Sequence, residues 1–227
     1  MNSVTEPVPD DTAGFVLAGG QSSRMGSDKA LIELDGEPLV VHALNVLRGA
    51  GLTAMIAGAR SDLSEYASLI DDAGLGPLSG ICAALASTSA EFAVFLSVDM
   101  PLLLPSLISV LLRHARLTQS VFTVPSVNGF AQTFPCIIQR NALPALQSEL
   151  DSGNDGCFSA FRAAAAHRDE PFTILTVEDL VQAGQLDHPS NLPAALWFLN
   201  VNTPADLDRA RSLVAARRTI WSLKPIA

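Results

Sequence analysis

The 227-residue chain is 48% hydrophobic and 16% charged, enough apolar material for a single core-forming domain. Fourteen basic against twenty-three acidic side chains leave a net charge of −9 and a pI near 4.7, the wrong sign for a protein that coats polymeric nucleic acid. Mean hydropathy is +0.31, yet no run of about 18 apolar residues escapes Gly, Pro or charge, so no membrane-spanning helix is expected.

The opening residues, MNSVTEPVPDDTA, are acidic and hold neither a basic leader nor an apolar stretch, so they read as a flexible tail over 1–13 and not as a secretory signal. Gly14-Phe15-Val16-Leu17-Ala18 is a short apolar run ending at paired glycines, which predicts a buried strand opening into a loop. Pro38 starts a helix with Leu39, Val40, Ala43, Leu44 and Leu47 at helical spacing, closed by Gly49 and Gly51. A second strand is expected over Thr53 to Ala57, a helix around Leu63 to Ile70, a glycine-rich turn over Gly74 to Gly80 and a helix to about Ala86. The apolar run Phe92 to Leu96 predicts a strand that ends in Asp99-Met100-Pro101. A helix from about Pro105 to His114, a strand over Val121 to Val124, a hairpin over Phe130 to Gln139 and a helix over Asn141 to Leu150 follow. The alanines of 163–166 suit a further helix. Leu196-Trp197-Phe198-Leu199 reads as a strand running into Asn200-Val201-Asn202-Thr203-Pro204, where Thr203 and Pro204 cap a helix to about Val214. Strands alternating with helices predict an α/β protein: three α/β/α layers around a mostly parallel, Rossmann-like sheet. The domain is placed at 14–214, with an extension over 215–227. In such sheets ligands bind at the carboxyl ends of strands, where the topology switches.

Cys82, Cys136 and Cys157 form no CxxC pair, so reduced thiols of a cytoplasmic protein are expected in place of a disulfide framework or structural zinc. His42, His114, His167 and His188 are scattered and receive no catalytic role.

Chemistry concentrates after the first strand, in Leu17-Ala18-Gly19-Gly20-Gln21-Ser22-Ser23-Arg24-Met25-Gly26-Ser27-Asp28-Lys29-Ala30. Paired glycines let backbone amides approach an anion with no Cβ in the way. Arg24 and Lys29 add positive charge in the same segment. The pattern is neither the GxGxxG dinucleotide fingerprint nor the GxxxxGK[ST] phosphate loop. Asp99, at the end of an apolar strand, puts a hard oxygen ligand of the kind Mg²⁺ prefers at the ligand edge of the sheet; the same carboxylate could also cap the turn before Pro101.

Taken whole, this loop resembles the signature of the sugar-nucleotide and cofactor nucleotidyltransferases, and its LAGG form is similar to that of the molybdenum cofactor guanylyltransferase family. The resemblance recurs in order at Gly76-Pro77-Leu78-Ser79-Gly80-Ile81, at Ser97-Val98-Asp99-Met100-Pro101 and at Asn200-Val201-Asn202-Thr203-Pro204-Ala205-Asp206-Leu207, spanning most of 14–210. It implies the nucleotidyltransferase fold and a Mg²⁺-dependent enzyme that moves GMP from GTP to the terminal phosphate of molybdopterin cofactor, releasing pyrophosphate. It implies a catalytic set of Arg24, Lys29 and Asp99. The nucleotide site it implies adds Leu17, Ala18, Gly19, Gly20, Asp72, Gly76, Pro77, Leu78 and Gly80 to those three, with Asp99 and Asn202 at the metal and Asn200 beside them. The implied partners are GTP, molybdopterin cofactor, and molybdoenzymes or other cofactor-assembly proteins.

The acceptor phosphate of such a reaction is already ionised near pH 7, so the lack of a nucleophile–base triad is no obstacle; catalysis rests on positioning and charge. Two departures from the family pattern stand out. Ala57-Gly58-Ala59-Arg60 stands where family members often carry asparagines after the second strand, and Gln132-Thr133-Phe134-Pro135 follows the family only loosely. The competing readings are a related cytidylyltransferase or other small-phosphate nucleotidyltransferase, against which LAGG in place of LAAG leans towards guanine, and an inert nucleotide-binding assembly protein, which would not need Arg24, Lys29 and Asp99 together.

Overall fold

The computed structural model describes residues 11–19, 28–58, 60–72, 74 and 76–222, with side chains to residue 215. The strands are β1 (Thr12–Leu17), β2 (Glu33–Leu34), β3 (Glu37–Pro38), β4 (Ala54–Ala57), β5 (Leu69–Ile70), β6 (Phe92–Ser97), β7 (Phe122–Val127), β8 (Phe130–Ala131), β9 (Cys136–Gln139) and β10 (Phe172–Thr176). The helices are α1 (Leu39–Gly49), α2 (Pro77–Ser87), α3 (Pro105–Thr118), α4 (Leu143–Asp151), α5 (Cys157–Arg168), α6 (Val177–Gln182), α7 (Ala194–Trp197) and α8 (Pro204–Ser222).

The main sheet runs β10-β7-β9-β6-β1-β4-β5, with β8 paired to β7 and β2–β3 a separate small ribbon. β1 pairs parallel with both β4 and β6, β4 with β5 and β7 with β10; β9 runs antiparallel between β6 and β7. The chain goes outward from β1 to β4 and β5, then crosses back through α2 to β6 on the other side of β1. The switch point therefore lies between β1 and β6, the place where an open α/β sheet leaves a crevice for a ligand.

Both sheet faces are covered, as buried parallel strands require. Phe15 and Phe95 project to the face packed by α2, α4 and α5 and stack with ring centroids 5.3 Å apart. Val16, Val94 and Leu96 project to the face packed by α1 and α3. This two-residue alternation carries both layers from two short apolar runs.

Four local expectations are corrected. Residues 63–70 do not form a helix: a 3₁₀ turn at Ser61–Leu63 is followed by turns, and Leu69–Ile70 pairs with β4. Leu63, Ala67 and Ile70 mimic helical spacing, but Ser64 bonds the Ser61 carbonyl at 2.7 Å, a local alternative to helix that serine offers readily. The run at 196–199 is not a strand; α7 occupies Ala194–Trp197 behind Pro193. Four apolar residues carry both periodicities, and Trp197, 1% exposed, is seated by its indole N–H on the Leu192 carbonyl. The turn of 74–80 ends early, because Pro77 sets φ for the first turn of α2. Lastly, β1 begins at Thr12, two residues before the expected start, and Asp11 is held by the Arg116 guanidinium.

Candidate active site

β1 and β6 are in register, with Leu17 opposite Ser97, so the residues just beyond both strands leave the sheet at one edge. Gly19 follows β1 and Asp99 follows β6 by two positions each. Around Asp99 the polar groups converge. The Ser97 hydroxyl donates to Asp99 Oδ1 at 2.6 Å, the Lys29 ammonium donates to Asp99 Oδ2 at 2.9 Å, and it also donates to Asn202 Oδ1 at 2.5 Å. The Asp99 carbonyl accepts the Val201 N–H at 2.9 Å, which anchors the 200–202 segment to the end of β6. The Lys29 and Asp99 side chains keep 17% and 14% of their exposure, open enough to meet a ligand yet shielded enough to interact more strongly than a free surface pair.

Asn202 is fixed from behind. Asp206 Oδ2 accepts N–H bonds from Asn202 at 3.1 Å and Thr203 at 2.8 Å and the Thr203 hydroxyl at 2.8 Å, while Thr203 Oγ1 accepts the Asp206 N–H. This reciprocal cap starts α8 and satisfies donors at its open end. The hydroxyl bond from Thr203, followed by the two backbone bonds, holds the Asp206 carboxyl below its usual range.

On the other flank, Asp72 Oδ1 accepts the Gly74 N–H at 3.1 Å. A Cβ added at Gly19 would stand 3.4 Å from Asp72 Oδ2, and one added at Gly80 would stand 3.2 Å from it. Asp72 thus lies between the exit of β1 and the first turn of α2, close to both glycines. Gly58 is tighter still: its Cβ would lie 2.9 Å from the Gly19 nitrogen, and its φ of +150° is a region that side chains rarely adopt.

Of the sequence-derived set, Lys29, Asp99 and Asn202 meet directly, and Asp72, Gly19 and Gly80 form a neighbouring wall. Gly76 and Pro77 rim the entrance to α2, and Asn200 sits beside Met100 on an adjoining pocket. Leu17 and Ala18 are buried at 7% and 4%. The Leu78 side chain has no exposure and packs in the core behind α2, because the helix begins one residue earlier and turns it inward. Gly20 and Arg24 lie outside the described residues. Sequence reasoning gave no role to Ser97 or Asp206. Thr203-Pro204-Ala205-Asp206 has the [ST]-x-x-[DE] spacing of a capping box, a signal that finds the second.

Next to Asp99 and Asn202, an open pocket of 410 Å³ is lined by Pro77, Met100, Phe134, Asp155, Cys157 and Asn200, among others. Cys157 is no nucleophile there, since burial pushes its thiol up to about 12 and leaves it neutral at pH 7. Among the described residues no three His, Cys, Asp or Glu side chains gather as a metal cage. A carboxylate oxygen and an amide oxygen do converge, and the Lys29 ammonium bonded to both marks that place as one that suits a cation. Mg²⁺ commonly takes one or two protein oxygens and completes its shell with water and phosphate, so the donor set fits it.

Known proteins resemble this chain in sequence and in fold. The model of the MobA-like NTP transferase domain matches residues 14–179. The molybdenum cofactor guanylyltransferase of Vibrio cholerae is 32% identical, the match covering 80% of this chain and 95% of that protein. A probable molybdenum cofactor guanylyltransferase of Pelotomaculum thermopropionicum is 29% identical over 92% and 97%. Among solved structures, molybdopterin-guanine dinucleotide biosynthesis protein A from Archaeoglobus fulgidus superposes with a TM-score of 0.71 at 22% identity, covering 89% of this chain and 98% of that one.

Proposed function

Because this chain belongs to the MobA-like NTP transferase family, and is therefore a nucleotidyltransferase, we propose that it transfers GMP from GTP to the terminal phosphate of molybdopterin, forming the guanine dinucleotide cofactor and pyrophosphate. The observation that carries the reading is the meeting of Lys29, Asp99 and Asn202 at the β1–β6 switch point.

An oxygen of the acceptor phosphate attacks the α-phosphorus of GTP; the bond from that phosphorus to the bridging oxygen of the β-phosphate breaks, and pyrophosphate leaves with the electron pair. The acceptor phosphate is ionised at neutral pH, so no side chain has to remove a proton. Asp99 and Asn202 would hold Mg²⁺, which supplies positive charge to the phosphates when bound. Lys29, at the mouth of the same crevice, neutralises charge building on the transferred group. Ser97 orients the Asp99 carboxylate, and Asp206 keeps Asn202 facing Lys29. Gly19 and Gly80 let Asp72 sit close to the exit of β1 and the start of α2, beside the space assigned to the nucleotide. The 410 Å³ pocket, polar at Asn200 and Asp155 and apolar at Phe134 and Met100, is the adjoining space for the pterin. Arg24 belongs to the same phosphate-binding loop by family resemblance. Three free thiols support a cytoplasmic setting.

Purified protein incubated with Mg²⁺, molybdopterin and either GTP or CTP tests the proposal by mass analysis of the product. Guanine dinucleotide formed faster than its cytosine counterpart is expected. Faster product from CTP would reassign the donor, and no product from either would remove the activity.

A further inference from the structure

Arg60 closes the short segment after β4, and the transfer step as described makes no use of it. Its guanidinium grips Asp62 with two bonds, Nε to Oδ1 at 2.9 Å and Nη2 to Oδ2 at 2.7 Å. Asp62 is two residues away on the same turn, so this fork orients the guanidinium without joining distant elements. The same Nη2 is ion-paired with Oδ2 of Asp28, 32 residues upstream. Asp28 is the N-cap of the 3₁₀ turn Lys29–Leu31, and its other oxygen accepts the Ala30 N–H at 2.9 Å. The two carboxylate oxygens of Asp28 thus divide their roles, one capping the turn that carries Lys29 and the other taking Arg60. The Arg60 and Asp28 side chains are 20% and 35% exposed, so the contact is partly shielded from solvent. Through Gly58, packed on Gly19, and Arg60, paired with Asp28, the short segment after β4 holds the chain at residue 19 and again at residue 28.

We infer that Arg60 is a positioning residue for phosphate transfer: acting through Asp28, it fixes the turn that aims Lys29 at Asp99 and Asn202, without itself touching the phosphates. The inference rests on the nucleotidyl-transfer reading for its catalytic consequence and on the Arg60–Asp28–Ala30 chain of contacts for its structural one. A misaimed charge costs the chemical step more than it costs binding.

A double-mutant cycle on the full chain tests this, with kcat and GTP KM measured for Arg60→Ala, Lys29→Ala and the pair. Arg60→Ala is expected to lower kcat by about 10- to 100-fold with GTP KM changed less than about threefold, and to cost nothing further once Lys29 is gone. Asp28→Asn should reproduce the loss, and Arg60→Lys should recover part of it. Losses that multiply in the double variant, or that fall on KM alone, would overturn the inference, since Arg60 would then act on the ligand itself. Amide hydrogen exchange of the nucleotide-free protein gives a readout free of activity. Exchange at Ala30 and Leu31 should quicken in Arg60→Ala and Asp28→Asn while the melting temperature and exchange in α1 hold; unchanged exchange refutes the clamp. Quickened exchange in a protein whose wild type makes no product leaves the clamp standing and refutes the transfer reading instead.

Discussion

Two neighbouring stretches of one sheet edge carry opposite chemistry. Beyond β1 and β6, charged and amide side chains bond one another directly: Lys29 to Asp99 and Asn202, and Asp99 to Ser97. Near the start of β9, the pocket beside Pro77 is lined by Phe134 and Met100 together with Gln132, Thr133, Asp155 and Asn200, and no ion pair joins these residues. The first stretch gathers bonded charges, and the second does not. They meet where Asn200 and Asn202 flank Val201, whose N–H is tied to the Asp99 carbonyl.

Substitutions can break this division. The largest effect is expected at the charged stretch, where Asp99→Asn or Lys29→Ala should lower kcat about 10²-fold or more at saturating GTP, as the loss of other preorganised charges does. A steady-state assay that found kcat unchanged in both would remove catalysis from this edge. Asp72→Ala should act on nucleotide affinity, raising GTP KM about tenfold with kcat kept, if Asp72 borders the nucleotide as proposed, since its bond goes to Gly74 and not to Lys29. Asp155→Ala sharpens the contrast from the other side: acceptor KM should rise severalfold while the GTP Kd, measured by calorimetry, stays put.

The smallest effect concerns the α8 cap. Asp206 has its pKa depressed by the groups it accepts from, so its stabilising contribution is present above the unfolded carboxylate pKa and disappears as pH falls through the lower folded value. Asp206→Asn should therefore melt at a lower temperature than wild type at pH 7, with the gap closing below about pH 4. A gap that stayed constant down to about pH 2, below the usual carboxylate range, would show that the charge of Asp206 plays no part.

How much of this was legible in the sequence differs between the same two regions. The strands that flank the charged edge announce themselves locally: an apolar run ending in glycines at 14–19 and another ending at Asp99. Their parallel pairing follows from the helices between them. That Lys29 would meet Asp99 across 70 residues and Asn202 across 173 is visible in no local pattern; family resemblance placed them together. Around the pocket, signals were ambiguous. Leu196 to Leu199 fits a strand as well as a helix, and Pro193 with the Trp197 indole bond decides for the helix. Leu63, Ala67 and Ile70 obey a helical period that serine side chains and the free edge of β4 override. Nothing in the sequence singled out Arg60 within Ala57-Gly58-Ala59-Arg60, because its partner Asp28 lies far upstream and no periodicity links the two.

Isotope transfer tests the central claim most directly. With Mg²⁺ and molybdopterin, wild-type protein given GTP labelled at the α-phosphate should place the label in the dinucleotide product, and label at the γ-phosphate should appear in pyrophosphate; Asp99→Asn should do neither at a comparable rate. Release of the γ-label as inorganic phosphate, or full α-label transfer by Asp99→Asn, would contradict the account.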